Sequence, residues 1–470
     1  MKQTFLCCLI WTTLLGGTPL YTHGQVMPGP DFFGFENNPA APTLYLNGGE
    51  ISPFAFSAEF LNSNYSLSPI DISRVLGTIN LSQLREKKYD ELGMAFPNFE
   101  IKKNIQPDGY GQINVKANGP SFRYSRGKFL YGFHSSLRIL NNMDHIPAKM
   151  AIYIFNGARV NDAVREQPYQ AKGMNITGSQ FFEIGFSVSR KTLESAYFIR
   201  RIGAHVKALI GIGGYYFHDQ NSTYNITANN EFEFINGHFH YGLGLKPKGI
   251  RPAGLGLATD VGWMILRKEK SSATRIEKKC PNLGGYYPSY HTYKWKLGIS
   301  LLDFGFVNYG ANTITRDFTQ VNYKWQHVDS LSLYGPIGID NQFVKRLSPE
   351  IGAGMQAGNK FTLLLPYKIA VQLSYKMAKY VYVDSYFSSQ LNHGKGGNLG
   401  HLNTLLVQPN LKTRHFSVGL PLGLIHWKKP SIGLNFRLGP LQAGTYTLPE
   451  FIGKKSFYQF HFFIGLTQQF

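Results

Sequence analysis

Charged and histidine side chains stand at alternate positions in several stretches of the sequence, opposite bulky apolar neighbours. They are Glu183, Arg201, His205, Lys207, Asp260, Lys294, Lys296 and Arg437. Because successive side chains of a β-strand point to opposite faces, this spacing places them on the polar face of a sheet. In a closed sheet they would line the lumen. Charges there either pair into a rigid network that supports a plug or form a selectivity filter, and we expect the network.

Two further patterns suggest metal chemistry but lack the partners that it needs. His238 and His240 would share one strand face, yet no cysteine or carboxylate stands at a suitable near spacing. Residues 303–305 read Asp-Phe-Gly, as in the metal-binding triplet of protein kinases, but the His-Arg-Asp motif and the matching glycine-rich loop are missing from the sequence. We therefore predict no metal site and no cofactor.

The stretches that carry these side chains are predicted to be strands. In residues 456–470, one face is mostly apolar and includes Phe460, Phe462, Ile464, Leu466 and Phe470, while the other is mostly polar or small. Similar alternation covers residues 129–139, 182–189, 201–210, 254–265, 293–301, 369–376, 416–424 and 432–439. A final strand that stops on an aromatic residue is typical of bacterial outer-membrane barrels, whose strands need roughly 9–11 residues. The alternative is a secreted β-sandwich, which so many strands would overfill.

The predicted fold class is all-β, a transmembrane antiparallel β-barrel of about 14 strands, within a range of about 12–16, with short helical elements. Short turns at Lys376–Lys379 and His426–Pro430, and long loops at 391–411 and 440–455, are predicted to distinguish the two ends. Residues 304–366 are predicted to form an extracellular or lumen-filling excursion. Residues 71–93 have helical spacing and would form a hatch or rim element.

Nothing near the histidines of the C-terminal region marks a catalytic site. His415, His426 and His461, with Ser417 and Ser456 nearby, are the raw material for a hydrolase at a barrel rim. No local pattern identifies an activated nucleophile among them. We predict no catalytic residue and no enzyme, and an outer-membrane hydrolase is the last of the functional alternatives.

Residues 1–24 are predicted to be a cleaved signal peptide, because Lys2 precedes a short apolar run, from residue 5 to residue 15, that ends in small residues. Export would then place the chain in a Gram-negative outer membrane. The predicted mature chain, residues 25–470, retains only Cys280 and can form no internal disulfide bond. It would form one barrel preceded by an irregular hatch segment at about 25–50.

The net charge of +20 and the pI near 9.6 limit the classes of partner. No helix-turn-helix, zinc-finger or RNA-recognition pattern is present, and a secreted protein would not meet nucleic acid, so we predict no nucleic-acid partner. The charge therefore indicates either lipid phosphate at a membrane surface or a solvated basic surface. Partners consistent with the barrel are outer-membrane lipid, lipopolysaccharide and the barrel-assembly machinery.

Several short motifs, taken in order, resemble FadL-related outer-membrane barrels of Bacteroidota. They are Asn38, Pro39 and Ala40 soon after the signal peptide, Gly254–Gly262, Leu297–Gly305 and Leu438–Gly444. The resemblance, to FadL- and PorV-like barrels, implies about 14 strands and an N-terminal hatch that includes Asn38, Pro39 and Ala40. The net charge and the long basic segment 267–292 depart from the family pattern.

Two functions follow from the resemblance. The first is passage of small hydrophobic or amphipathic molecules across the outer membrane. The alternative is a barrel that does not transport but docks a secretion or surface-assembly component.

Overall fold

The computed structural model describes residues 37–41, 49–63, 65–66, 100–101, 108–150, 166, 168–228, 231–244, 251–269, 293–310, 312–325, 355–392, 397–413, 416–448 and 458–469. The strands of the first half are β1 Gly49–Asn62, β2 Tyr65–Ser66, β3 Glu100–Ile101, β4 Asp108–Asn118, β5 Ser121–Arg126, β6 Phe129–Pro147, β7 Tyr169–Ala171, β8 Met174–Glu194, β9 Phe198–Asp219, β10 Ser222–Ile226, β11 Phe232–Gly244 and β12 Gly254–Lys268. Those of the second half are β13 Tyr293–Tyr309, β14 Thr313–Trp325, β15 Met355–Gly358, β16 Phe361–Leu364, β17 Lys368–Lys376, β18 Val381–Gln390, β19 Thr404–Lys412, β20 Phe416–Gly419, β21 Leu422–Ile425, β22 Lys429–Ile432, β23 Leu434–Leu438, β24 Leu441–Thr445 and β25 Gln459–Gln469.

These strands form a closed antiparallel barrel of 14 strands, which confirms the predicted fold class. In order around the wall they are β1, β4–β5, β6, β8, β9, β12, β13, β16–β17, β18, β19, β20–β21, β22–β23, β24 and β25, where a joined pair is one interrupted strand. The barrel closes where the last strand pairs with the first, with Ala58 opposite Phe462.

The two ends of the barrel differ in the length of their connections. At the C-terminal end, where β25 finishes, short turns join β5 to β6, β8 to β9, β17 to β18 and β23 to β24. In the β8–β9 turn, Ser195 Oγ accepts hydrogen bonds from the backbone N–H of Tyr197 and of Phe198, which fixes the reversal. Residues 391–403 and 446–458 connect strands at the other end, which we call the loop end.

The outward face of the barrel is apolar and exposed. Phe186 and Phe304 are each 63% exposed, and Leu257 and Val206 are similarly uncovered. An apolar surface that continues around the wall is stable only against lipid, so this face is the membrane-facing belt of a transmembrane barrel. The alternation predicted for residues 182–189, 201–210 and 254–265 is observed, with the bulky side chains outward.

Five strands, β7, β10, β11, β14 and β15, extend the sheet at the loop end and are joined to the barrel through β9. An aromatic cluster that includes Tyr224, Phe239 and Phe318 stabilises this extension. Within the described chain, no helix has the length and apolar character needed to cross a membrane.

The predictions of loops at 391–411 and 440–455 were wrong, because these residues include most of β19 and all of β24. Of the excursion predicted at 304–366, the end of β13 and β16 belong to the barrel wall, whereas β14 and β15 lie in the extension at the loop end. β19 was missed because Gln408, Pro409 and Asn410 make it unusually polar for a strand, and β24 because it has five residues. Because β19 was missed, the turns at Lys376–Lys379 and His426–Pro430 were placed at one end, whereas they lie at opposite ends. The predicted helical segment 71–93 lies outside the described residues.

Candidate functional site

The lumen contains three successive layers, which can be followed along β9 from the C-terminal end. Gly203 contacts the hatch, His205 and Lys207 belong to a layer of charged groups, and Leu209 belongs to an apolar layer. The candidate functional site is this stack, since anything that crosses the barrel has to pass through it.

The described part of the predicted hatch, residues 37–41, which we continue to call the hatch, lies inside the barrel against three glycines. A Cβ atom at Gly203 would overlap the carbonyl group of Pro39, and Cβ atoms at Gly262 or Gly298 would overlap the side-chain amide of Asn38. Glycine at all three positions therefore makes the space in which the hatch sits.

Hydrogen bonds connect the hatch to three strands of the barrel, β5, β12 and β13. Asn38 Nδ2 donates to the carbonyl of Trp263 at 3.2 Å, and Ser300 Oγ donates to the carbonyl of Asn37 at 2.6 Å. Arg123 donates to the carbonyl of Ala41 at 3.2 Å. Asn38 and Ala40 are fully buried. The hatch is thus held through backbone carbonyls and one amide, in a seat that depends on small wall residues.

Seven buried side chains form a closed ring of hydrogen bonds and ion pairs beside the hatch, which we call the ionic ring. Its members are His134, Arg138, Glu183, His205, Lys207, Asp260 and Asp303. They come from β6, β8, β9, β12 and β13, so the ring joins five neighbouring strands.

Ion pairs close one side of the ring. Lys207 Nζ lies 2.7 Å from both Asp260 Oδ2 and Asp303 Oδ1. Arg138 donates to the two oxygens of Asp303 at 2.9 and 3.0 Å and to Glu183 Oε2 at 3.2 Å. Bidentate arginine–carboxylate pairs of this kind are strong and directional, which suits a rigid cross-brace.

A chain of imidazoles closes the other side. His134 Nε2 lies 2.6 Å from Glu183 Oε1, His134 Nδ1 lies 2.9 Å from His205 Nε2, and His205 Nδ1 lies 3.0 Å from Asp260 Oδ2. Each neutral imidazole donates one hydrogen bond and accepts one, so the two rings relay contacts from Glu183 to Asp260 and complete the ring.

A polar cavity of about 140 Å³ adjoins the ring and is closed on the loop-end side by residues 397–403. This inner loop is tied across the lumen, because Gln112 Nε2 donates to the carbonyl of Gly400 and Thr177 Oγ1 to the carbonyl of Asn398. Burial, and then the nearby ammonium group of Lys368, hold the pKa of His401 well below its usual range. Its neutral ring can accept the 3.3 Å hydrogen bond from Lys368 Nζ.

The apolar layer lies on the loop-end side of the ionic ring. It consists of Leu140, Phe181, Leu209, Ala253, Ala258, Val307, Tyr309, Phe361, Leu363, Leu365 and Leu399. Tyr309 and Phe361 stack at 5.1 Å between ring centroids and also line a pocket of about 640 Å³ at the loop end of β12, β13 and β16. Tyr309 and Phe361 thus link the apolar layer to a pocket of ligand-binding size, whose lining also includes the exposed Leu255, Asn308 and Thr362.

Of the eight ionisable residues singled out in the sequence, the structure buries seven. Glu183, His205, Lys207 and Asp260 belong to the ionic ring. Nearer the C-terminal end, Arg201 Nε donates to Ser189 Oγ, Arg437 donates to the carbonyl of Thr413, and Lys296 lies 5.3 Å from the centroid of the Tyr293 ring.

Lys294 is the exception, because it is exposed on the outer face, 5.7 Å from the Tyr375 ring centroid. The alternation fails there since Arg267 pairs with Trp295 while Lys268 pairs with Tyr293, which leaves Lys294 in a β-bulge. The same bulge turns Tyr293 inward, against the expectation that it shares the bulky outer face.

The family of this chain was established by comparison with family models. A model described as a family of unknown function, DUF5723, matches residues 61–447, which is more than half of the sequence. The chain belongs to this family. A search among curated proteins found no match.

Solved structures similar to this DUF5723 barrel include outer-membrane transporters, at low similarity. The Ralstonia pickettii toluene transporter TbuX is 8% identical, with a TM-score of 0.38, and the alignment covers 97% of this chain and 99% of that one. A deletion mutant of TodX, a monoaromatic hydrocarbon channel, is 7% identical with a TM-score of 0.38 and 96% coverage of both chains. A Pseudomonas aeruginosa FadL homologue is 10% identical with a TM-score of 0.28 and 96% coverage of both. Similarity at this level carries no argument about substrate.

Sequence reasoning missed three members of the ionic ring. His134 and Arg138 stand on the polar face of β6, so the alternation that selected the other members could have found them. Asp303 could not be found in this way. Asp260 opposes both Leu302 and Asp303, and this bulge, with a φ of 59° at Asp303, turns the carboxylate inward. By strict alternation it would face lipid.

The remaining predicted sites are placed as follows. Phe460, Phe462, Ile464 and Leu466 share the outward face of β25, and Phe470 lies outside the described residues. His461 stacks on Tyr446 at 3.8 Å, His426 packs against Tyr110 at 4.4 Å and Ser417 is buried, whereas His415 and Ser456 lie outside the described residues.

Two further side chains, His218 and Asp317, lie near the pair His238 and His240 in the structure. His240 pairs across strands with His218 and with Asp317, and His238 lies 3.9 Å from Asp317. No group of three such side chains in the described part of the chain has the spacing of a metal site.

Proposed function

We propose that this protein passes small hydrophobic or amphipathic molecules across the outer membrane, with the layers of hatch, ionic ring and inner loop as its closed state. The observation that carries the proposal is the pocket of about 640 Å³ at the loop end, which Tyr309 and Phe361 of the apolar layer help to line. A porin lumen is polar, whereas aromatic and aliphatic side chains inside this barrel give a hydrophobic solute a favourable environment. A signal peptide at residues 1–24, assembly by the barrel-assembly machinery and an origin in Bacteroidota remain predictions.

Passage through the lumen requires movement of at least one of the elements that close it, which are the hatch, the ionic ring and the inner loop. The polar cavity beside the ionic ring has a volume of about 140 Å³, which is enough for a molecule of about the size of benzene but not for a larger solute. The hatch is the element that can yield at least cost, since a few hydrogen bonds hold it, whereas the ionic ring joins five strands. We infer that a molecule enters at the pocket, reaches the apolar layer and passes beside the ionic ring through the polar cavity, which Asn37 and His401 help to line. This route opens when the hatch and the inner loop are displaced.

Gly310 offers a direct test, because it lies at the pocket with only Lys360 Cγ, at 3.7 Å, near the position of an added Cβ. Gly310→Trp fills the pocket, while Gly310→Ala is the matched control that leaves it open. Uptake of radiolabelled oleate by cells that display equal amounts of each barrel should fall several-fold for the tryptophan variant only. Equal uptake by both variants, at the wild-type rate, would remove the pocket from the pathway and defeat the proposal.

A docking function is the second candidate, and the filled lumen favours it. Native mass spectrometry of the barrel taken from its own membrane in mild detergent separates the two functions. A bound lipid-like molecule that is lost in Gly310→Trp supports passage. A stoichiometric protein partner without a small ligand supports docking.

A further inference from the structure

Seven exposed basic side chains border the apolar belt at the C-terminal end of the barrel. They are Arg126, Lys128, Arg190, Arg200, Arg267, Lys294 and Lys379, and we call them the basic rim. They stand on neighbouring elements, from the β5–β6 turn through β8, β9, β12 and β13 to the β17–β18 turn. The rim is therefore a continuous arc along one side of the barrel.

Several members of the rim lie over aromatic side chains of the belt. Arg190 lies 5.8 Å from the ring centroid of Phe129, Arg267 lies 6.0 Å from that of Phe198, and Lys379 lies 5.0 Å from that of Tyr380. Aromatic residues mark the membrane interface of a barrel. The cations beside them consequently lie at the level of the lipid headgroups and face outward.

In the part of this edge that the structure describes, the acidic side chains near the rim are already paired. Glu194 accepts ion pairs from Lys191 at 2.7 Å and Lys268 at 3.5 Å, and Glu269 pairs with Lys376 at 2.5 Å. In the described residues, none of the ion pairs joins a member of the basic rim to a carboxylate. The rim therefore presents excess positive charge at the membrane interface.

The end of the barrel identifies the leaflet. Short turns and the end of the last strand are at the rim, and short turns mark the periplasmic end of an outer-membrane barrel. Lipopolysaccharide occupies the opposite, external leaflet. The anions within reach of the rim are phosphate groups of the phospholipids in the periplasmic leaflet.

We propose that the basic rim is a binding surface for anionic phospholipid headgroups of the periplasmic leaflet. Arginine matches phosphate geometry with two parallel N–H donors, and the apolar belt directly above the rim accommodates the acyl chains. The sequence indicated lipid phosphate as a partner for the positively charged protein, and the basic rim gives the residues that would bind it. Binding at the rim involves only the outer surface of the barrel and does not depend on passage of molecules through the lumen.

Two tryptophans can report lipid binding, one at each of the two membrane–water interfaces of the barrel. Trp295 pairs with Arg267 across β12 and β13, beside the rim, and Trp427 is exposed in the β21–β22 turn at the loop end. Barrels that retain only one of these tryptophans are reconstituted with brominated phosphatidylglycerol or brominated phosphatidylcholine, and fluorescence quenching gives the relative affinity. Trp295 should report a preference for phosphatidylglycerol of about fivefold for each cation that a lipid contacts. Trp427 should report little preference.

The test variant combines Arg200→Gln, Arg267→Gln and Lys294→Gln, which removes three exposed charges around Trp295 and leaves the interior intact. A matched variant combines Arg251→Gln, Lys360→Gln and Lys428→Gln, three exposed cations outside the rim. The rim variant should lose most of the preference at Trp295, and the matched variant should retain it. High salt should weaken the preference of the unchanged rim.

Three results would overturn the proposal. Equal quenching of Trp295 by the two lipids would show that the rim does not select anions. An undiminished preference in the rim variant would assign it to other residues. A preference of equal size at Trp427 would show that the net charge of the barrel, and not the rim, attracts the lipid.

Discussion

Replacement of Arg138 by methionine should destabilise the barrel more than any change to its partly exposed ion pairs. Arg138 is buried and makes three hydrogen bonds, two to Asp303 and one to Glu183. Methionine preserves much of the side-chain volume but removes the guanidinium group that pairs with the carboxylates of Glu183 and Asp303. Removal of one partner from a buried charge pair costs about 3–5 kcal/mol, so unfolding should become easier by that amount.

Lys268→Met is the matched control, because Lys268 pairs with the much more exposed Glu194 at 3.5 Å. Such a pair contributes about 0–1 kcal/mol. Unfolding of both variants in lipid vesicles, followed by tryptophan fluorescence against urea concentration, gives the two free energies of unfolding. The Arg138 variant should lose at least about 2 kcal/mol more than the control.

The double variant Arg138→Met/Asp303→Asn separates charge from packing. Asparagine tolerates the positive φ at position 303 and removes the carboxylate that lost its partner. Lys207 keeps its 2.7 Å contact with Asp260. The double variant should therefore be more stable than Arg138→Met alone. If Arg138→Met costs no more than Lys268→Met, or if Asp303→Asn makes it worse, the ionic ring does not brace the barrel as described.

Three further outcomes are expected. Gly203→Ala should raise ion conductance in planar bilayers, because its Cβ displaces the hatch, whereas Gly213→Ala on the same strand should leave conductance unchanged. The depressed pKa of His401 means that the folded state disfavours its protonation. Lowering the pH from about 6.5 to about 5 should therefore destabilise the inner loop by up to about 2 kcal/mol, measured by hydrogen exchange, and His401→Gln should remove this contribution to the pH dependence. Tyr224→Phe removes a donor to buried Asp219 and should destabilise the extension locally by about 1–3 kcal/mol, seen as faster exchange in β10 and β11.

The class of fold could be predicted because strict alternation is a local property. β8 and β9 keep it over most of their length, so Glu183, His205 and Lys207 could be assigned to the polar face from the sequence. Lys294 and Asp303 could not, because each stands in a bulge that depends on the partner strand. A strand as polar as β19, or as short as β24, gives too weak a pattern to recognise.

The ionic ring was beyond sequence reasoning for a different reason. Alternation states which face a residue occupies but not its depth in the barrel or the strands beside it. Arg138 and Asp303 are 165 residues apart in sequence and meet only because of the register of the closed sheet. The hatch motif was predicted by resemblance, and the contact of residues 38–40 with three glycines becomes visible only when β9, β12 and β13 are neighbours.

The hatch is attached to the wall that surrounds it. Ala41 lies in the lumen and Gly49 begins β1 at the C-terminal end, so the chain between them is a tether of seven residues. Fully extended, it reaches about 30 Å at most. A hatch displaced towards the C-terminal end therefore stays within about one barrel length of its seat. Opening of the barrel is then an intramolecular equilibrium that does not depend on protein concentration, and return of the hatch needs no diffusional search.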